Sequence, residues 1–142
     1  MARAQQIFWI ALRLLYGLFF LLTGIWIVIS VTTGMVGPPP QPTPGAAAFM
    51  DALAASGFMD PLIAASFILG GGLLLSSRTA PAGLVVLAPA VSVILLFHLL
   101  LSGQAIVGIL VAAIFLALAW QYRRAFAPLL TWRPEGRDGQ AD

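Results

Sequence analysis

Two groups able to carry charge or a proton fall inside the apolar stretches of this chain, Arg13 and His98. Ionisable side chains in such stretches cost free energy to keep there, so each is a candidate for function. His98, in the run LLFHLL, could hydrogen-bond or pass a proton to a quinone head group, or ligate a haem. A haem held between helices normally takes two histidines and this chain has one, which disfavours haem. The plainer alternative is a histidine bonded to a backbone carbonyl or to the neighbouring loop. Arg13 could snorkel to lipid head groups, or turn inward to an internal partner or an anionic lipid. His98 and Arg13 are therefore the candidate binding residues, for a quinone or a phospholipid head group. Asp51 and Asp60 are the carboxylates expected on the same side as His98 and its candidate partners. Asp60 equally suits a helix cap, and Asp51 a solvent-facing position. No cysteine is present, and no nucleophile–base pair, metal-ligand cluster or nucleotide motif appears, so no catalytic or metal residue is assigned. Gly70-Gly71-Gly72 lacks both a preceding strand and a following Lys-Ser/Thr, and reads as a helix-packing site rather than a phosphate loop.

The elements that must position these groups are helical and apolar. Hydrophobic residues make up 61% of the 142 and charged ones only 8%, far from the roughly one quarter charged of soluble domains. The expected fold is an all-α integral membrane four-helix bundle over residues 1–124, followed by a tail over 125–142. Helix one is expected over about Ile7 to Val31, too long for a signal-peptide core and so a retained span. Arg13, Tyr16, Gly17, Phe20 and Gly24 share one of its faces, with two glycines that would admit a close neighbour. A proline-rich loop follows, GPPPQPTPG, favouring extended chain. The segment AAAFMDALAASG is too short to span and is expected as an interfacial helix in the outer loop, ended by Gly57. Asp60-Pro61 has the form of a cap and first helical residue, opening helix two to about Ser77. Thr79 or Ala80 should cap helix three, which Pro89 should kink or leave with a free carbonyl. Only Ser102-Gly103 separates it from helix four, Gln104 to about Tyr122, so these two must run antiparallel. The end RPEGRDGQAD reads as partly disordered.

All seven basic residues are arginine. They lie near the start of helix one, between helices two and three, and after helix four; the loop after helix one and the Ser102-Gly103 turn have none. The positive-inside rule then predicts four spans with both termini cytoplasmic. The arginines are scattered between segments, so nucleic-acid binding is not expected. The expected partners are membrane lipids and other integral membrane subunits, or further copies of the chain.

In order along the chain, RLLYGLFFLLTGIW, FMDALAASGFMDPL, FILGGGLLLSSR and LLFHLL resemble the DoxX-like membrane proteins, over roughly Arg13 to Tyr122. The resemblance implies a compact four-helix bundle in a bacterial cytoplasmic membrane. It also implies kinship with a subunit of a thiosulfate–quinone oxidoreductase, and Arg13, Gly70-Gly71 and His98 match the family pattern. Where such proteins often carry a glutamate before the glycine pair, this chain has Ser66-Phe67, which weakens a proton-coupled redox role. The expected function is thus a small non-catalytic subunit of a membrane respiratory or redox complex, with quinone or lipid contact. The alternative is a structural or assembly factor without a redox role; the scarcity of polar lining disfavours a transporter.

Overall fold

The computed structural model describes residues 2–34 and 40–130, and among these every regular element is helical. The helices are α1 (Ala2–Thr33), α2 (Pro44–Ala55), α3 (Met59–Leu74), α4 (Ala80–Leu96), α5 (Ala105–Gln121) and α6 (Arg123–Leu130). A π-helical turn, Phe97–Leu101, prolongs α4. Two helices, α1 and α4 with its π turn, are long and apolar enough to cross a membrane; α2 and α3 together, bent by 93°, could make a third span. At 17 residues α5 is an apolar helix about 26 Å long, a little under the thickness of a hydrocarbon core.

The long helices pack in the order α1, α3, α4, α5, each antiparallel to the next, and α1 meets α5 only sparsely. The α1–α3 seam is set by small residues. A Cβ at Gly71 would sit 2.6 Å from the Gly17 carbonyl oxygen and 2.6 Å from the Leu21 nitrogen; one at Gly17 would sit 2.9 Å from the Gly71 oxygen. Gly24 repeats this a turn and more away, against Ala64 O at 2.9 Å. On α3's other side, Gly70 and Gly83 bring α4 equally close, with a Gly83 Cβ 2.8 Å from Gly70 O. The packing expected of the glycine run is thus met by Gly70 and Gly71, while Gly72 faces open space. Between the seams lies the core: Tyr16, Phe20, Phe67, Leu74, Leu84, Leu87, Val91 and Leu118. Phe20 is fully enclosed and meets Phe67 edge-on, ring centroids 4.9 Å apart.

Several local expectations shift. Asp60 does not cap α3, which begins one residue earlier at Met59. Gly57 turns the chain at φ +73°, and the Ser56 hydroxyl accepts from the Met59 N–H (3.2 Å), so Ser56 supplies the side-chain acceptor. Asp60 instead sits in the first turn, where its charge favours the positive end of the helix. Thr79 precedes α4, yet its hydroxyl donates to Leu73 O (2.6 Å) and so closes the end of α3. Helix α4 continues through the exposed Pro89; its irregularity falls instead at the π turn, where the Ser102 N–H reaches Phe97 O at 2.9 Å. Gly103, at φ +69°, then reverses the chain into α5. The segment 125–130, the start of the expected tail, is helical as part of α6. The disorder expected of the charged end lies outside the described residues, as does most of the proline run.

Helix α2 starts at Pro44, preceded by Thr43, whose hydroxyl accepts from Ala46 N–H (3.1 Å) and donates to Leu101 O. It packs on α3 and the π turn, with Phe49 against Phe97 (5.6 Å between ring centroids). The expected short helix between the first two long ones is therefore present, docked at the end of the bundle that carries the Ser102-Gly103 turn.

Candidate functional site

The predicted face of α1 points inward: Arg13, Tyr16, Gly17, Phe20 and Gly24 are all buried. Tyr16 crosses the sparse α1–α5 seam, its hydroxyl donating to Val111 O at 2.9 Å. From there towards the N-terminus α1 and α5 separate, and a cavity of about 500 Å³ opens between them. Its wall comes from α1 (Gln5, Gln6, Trp9, Ile10, Arg13), from Ser77 in the α3–α4 turn, and from α5 and its end (Leu118, Gln121, Tyr122). The chain segments carrying Arg3, Arg78, Arg123 and Arg124 adjoin this wall, so this is the arginine-bearing end. Arg123 lies over the Trp120 ring (4.9 Å) and donates to Trp120 O at 3.0 Å.

Arg13 is 7% exposed, and its Nε and Nη1 are buried with no hydrogen-bond partner among the described residues. This is uncommon. A buried guanidinium normally has its donors met, because the charge otherwise loses hydration without compensation. The described carboxylates, Asp51 and Asp60, lie at the opposite end of the molecule.

At that other end a second cavity, of about 450 Å³, lies among α1, α2, α3 and α4. Its wall is mainly apolar, including Trp26, Ile27, Phe49, Phe67, Val93 and Phe97, with Asp51 and Asp60 at its polar margin. His98 is not part of either wall. Its Nδ1 lies 2.8 Å from Ile94 O, one turn back on its own helix. A carbonyl can only accept, so the Nδ1 carries the proton, and in the neutral ring Nε2 is left as an acceptor. The expected pairing with Asp51 or Asp60 is not formed: no ion pair joins His98 to either. The reason is local. The His98 Nδ1–H is taken up by the Ile94 carbonyl four residues before it, and His98 does not line the cavity that Asp51 and Asp60 border. Helix α5 closes on the π turn, since a Cβ at Gly108 would come within 2.8 Å of His98 Cβ. Arg13 and His98 thus occupy opposite ends of the bundle, as their positions in the sequence implied.

Among the described residues no cluster of histidine, cysteine, aspartate or glutamate could hold a metal ion. Sequence reasoning missed three features: the Tyr16–Val111 tie, the Thr43–Leu101 tie and the π turn. Thr43 was recoverable, since Thr-Pro is a standard helix opening; the others join residues far apart or depend on backbone geometry. No family model, curated protein or solved structure matches the chain.

Proposed function

We propose that this chain is a small DoxX-like integral protein of a bacterial cytoplasmic membrane, acting as a non-catalytic subunit of a larger membrane assembly of respiratory or redox type. In this reading α1, α3, α4 and α5 all cross the bilayer, both termini are cytoplasmic, and α2 lies at the outer interface. The observation that carries it is the outward face of the bundle. Along α1, Ile7, Phe8, Leu15, Phe19, Leu22 and Trp26 are each more than half exposed, and Ile106, Leu110 and Leu116 continue this on α5. An apolar surface this extensive needs lipid or another subunit against it. Meanwhile His98, half-buried, has its Nδ1 engaged by its own helix and lines neither cavity, which supports an accessory role over a catalytic one. The apolar cavity beside Phe97 is where a quinone ring or acyl chain would lie, and the Arg13 cavity is where a head group would lie.

The test is purification of the full chain in mild detergent, with mass spectrometry and an absorbance spectrum of whatever accompanies it. Co-purification with flavin- or haem-bearing subunits or with quinone is the expected result. A colourless protein accompanied by lipid alone would sink the redox-subunit reading and favour the structural alternative. In the assembly, His98→Ala should leave turnover unchanged.

A further inference from the structure

Arg13 brings a positive charge into a cavity whose described wall contains no acid. The chain has five acidic residues. Asp51 and Asp60 border the other cavity, and Glu135, Asp138 and Asp142 lie in the segment after Leu130. The residues that share the cavity wall with Arg13 are uncharged: Gln5, Gln6, Gln121 and Ser77 carry polar groups, and Trp9 and Leu118 are apolar. A planar guanidinium with two unmet donors suits an oxyanion, which it can hold through paired hydrogen bonds once the side chain turns its covered Nε and Nη1 to the cavity. Neutral amides and a hydroxyl can then solvate the remaining oxygens without repelling the charge. The space of about 500 Å³ suits a head group rather than a whole lipid. Ile10, in the cavity wall, is half exposed, and the outer surfaces of α1 and α5 are apolar, with Leu15 and Leu116 among their exposed residues, so acyl chains would meet apolar surface outside the cavity.

We propose that Arg13 binds the phosphodiester of an anionic phospholipid, with the head group in this cavity and the acyl chains on the apolar outer surface of the bundle. This rests on the membrane reading above and deepens it, naming the ligand class for one site.

The full-length protein, stripped of lipid in detergent, is titrated with phosphatidylglycerol or phosphatidylcholine and followed by native mass spectrometry. Wild type should retain one phosphatidylglycerol per chain, with a preference over phosphatidylcholine of about tenfold or more, because phosphatidylcholine shares the phosphodiester but adds a quaternary ammonium that the Arg13 charge repels. Arg13→Gln should lose that preference, whereas Arg124→Gln, at an exposed position outside the cavity, should keep it. Ile10→Glu places a carboxylate in the same wall three residues before Arg13, at a half-exposed site close to the end of α1. It should also abolish retention, and it keeps the test decisive should Arg13→Gln fold poorly. Unchanged selectivity in Arg13→Gln, or equal retention of the two lipids, would overturn the proposal. Displacement of the lipid by millimolar inorganic phosphate would overturn it in favour of a free-anion site. Release of the lipid when a co-purifying subunit binds would overturn it in favour of a partner carboxylate. Flotation with liposomes separates the two levels: failure to float with either lipid composition overturns the membrane reading itself, while floating without selectivity overturns only the Arg13 site.

Discussion

Helix α1 has two long seams, and they are built in opposite ways. Against α3, glycine meets glycine and backbone meets backbone, with Gly17 and Gly71 at a separation that leaves no room for a methyl group. Against α5 the contact is sparse: one hydrogen bond from Tyr16, the buried Leu118, and then a cavity holding an arginine whose donors are partly unmet. Both seams belong to one helix of much the same composition. The difference shows that apolar character alone does not close a helix pair. In an apolar surround helices gain little from hiding greasy surface, so closure depends on whether small residues let the backbones approach. Where α1 turns glycine to its neighbour the seam is shut, and where it turns Trp9 and Arg13 the seam stays open and becomes available to a ligand.

The comparison can be broken most severely at Gly71. Gly71→Leu would drive a branched side chain into the backbone of Gly17 and Leu21, which cannot swing aside. Loss of the folded bundle is expected, visible as aggregation on size-exclusion chromatography in detergent. Phe20→Ala tests the same seam from within the core and should destabilise by about 3–5 kcal/mol through the cavity left behind, read from denaturant or thermal unfolding of helical circular dichroism. Tyr16→Phe removes the one hydrogen bond across the open seam and should cost about 1 kcal/mol by the same measurement. If Tyr16→Phe proved as damaging as Phe20→Ala, the α1–α5 seam would be far tighter than its geometry implies. Gly72→Ala is the sharpest control. It neighbours Gly71 inside α3 yet faces open space, so the methyl should be accommodated and alanine's helix propensity should stabilise by about 0.5–1 kcal/mol.

Much of the bundle was legible in the sequence. Arg13, Tyr16, Gly17, Phe20 and Gly24 repeat at three and four residues, and such a pattern selects one face of a helix wherever that helix later docks. The turn at Ser102-Gly103 and the short helix after the proline run were readable because chain length and turn chemistry leave few options. The caps were less so. Asp60-Pro61 has the form of a helix start, but Gly57 turns the chain just before it and Ser56 supplies the acceptor, an outcome decided by backbone direction. The candidate site was half legible. That Arg13 faces inward follows from its spacing to Tyr16 and Phe20; that it stands without a described counter-ion in a cavity does not.

By itself the sequence determined the helical, apolar class of this protein, the inward face of α1 and the separation of Arg13 from His98, because helical period and apolar run length are local properties of the chain. Only the tertiary structure decided that α1 closes on α3 but opens towards α5, that His98 bonds to Ile94 and not to Asp51 or Asp60, and that the Arg13 cavity has a neutral wall. Those outcomes depend on the distances between backbones once the helices have packed, and no single segment encodes them.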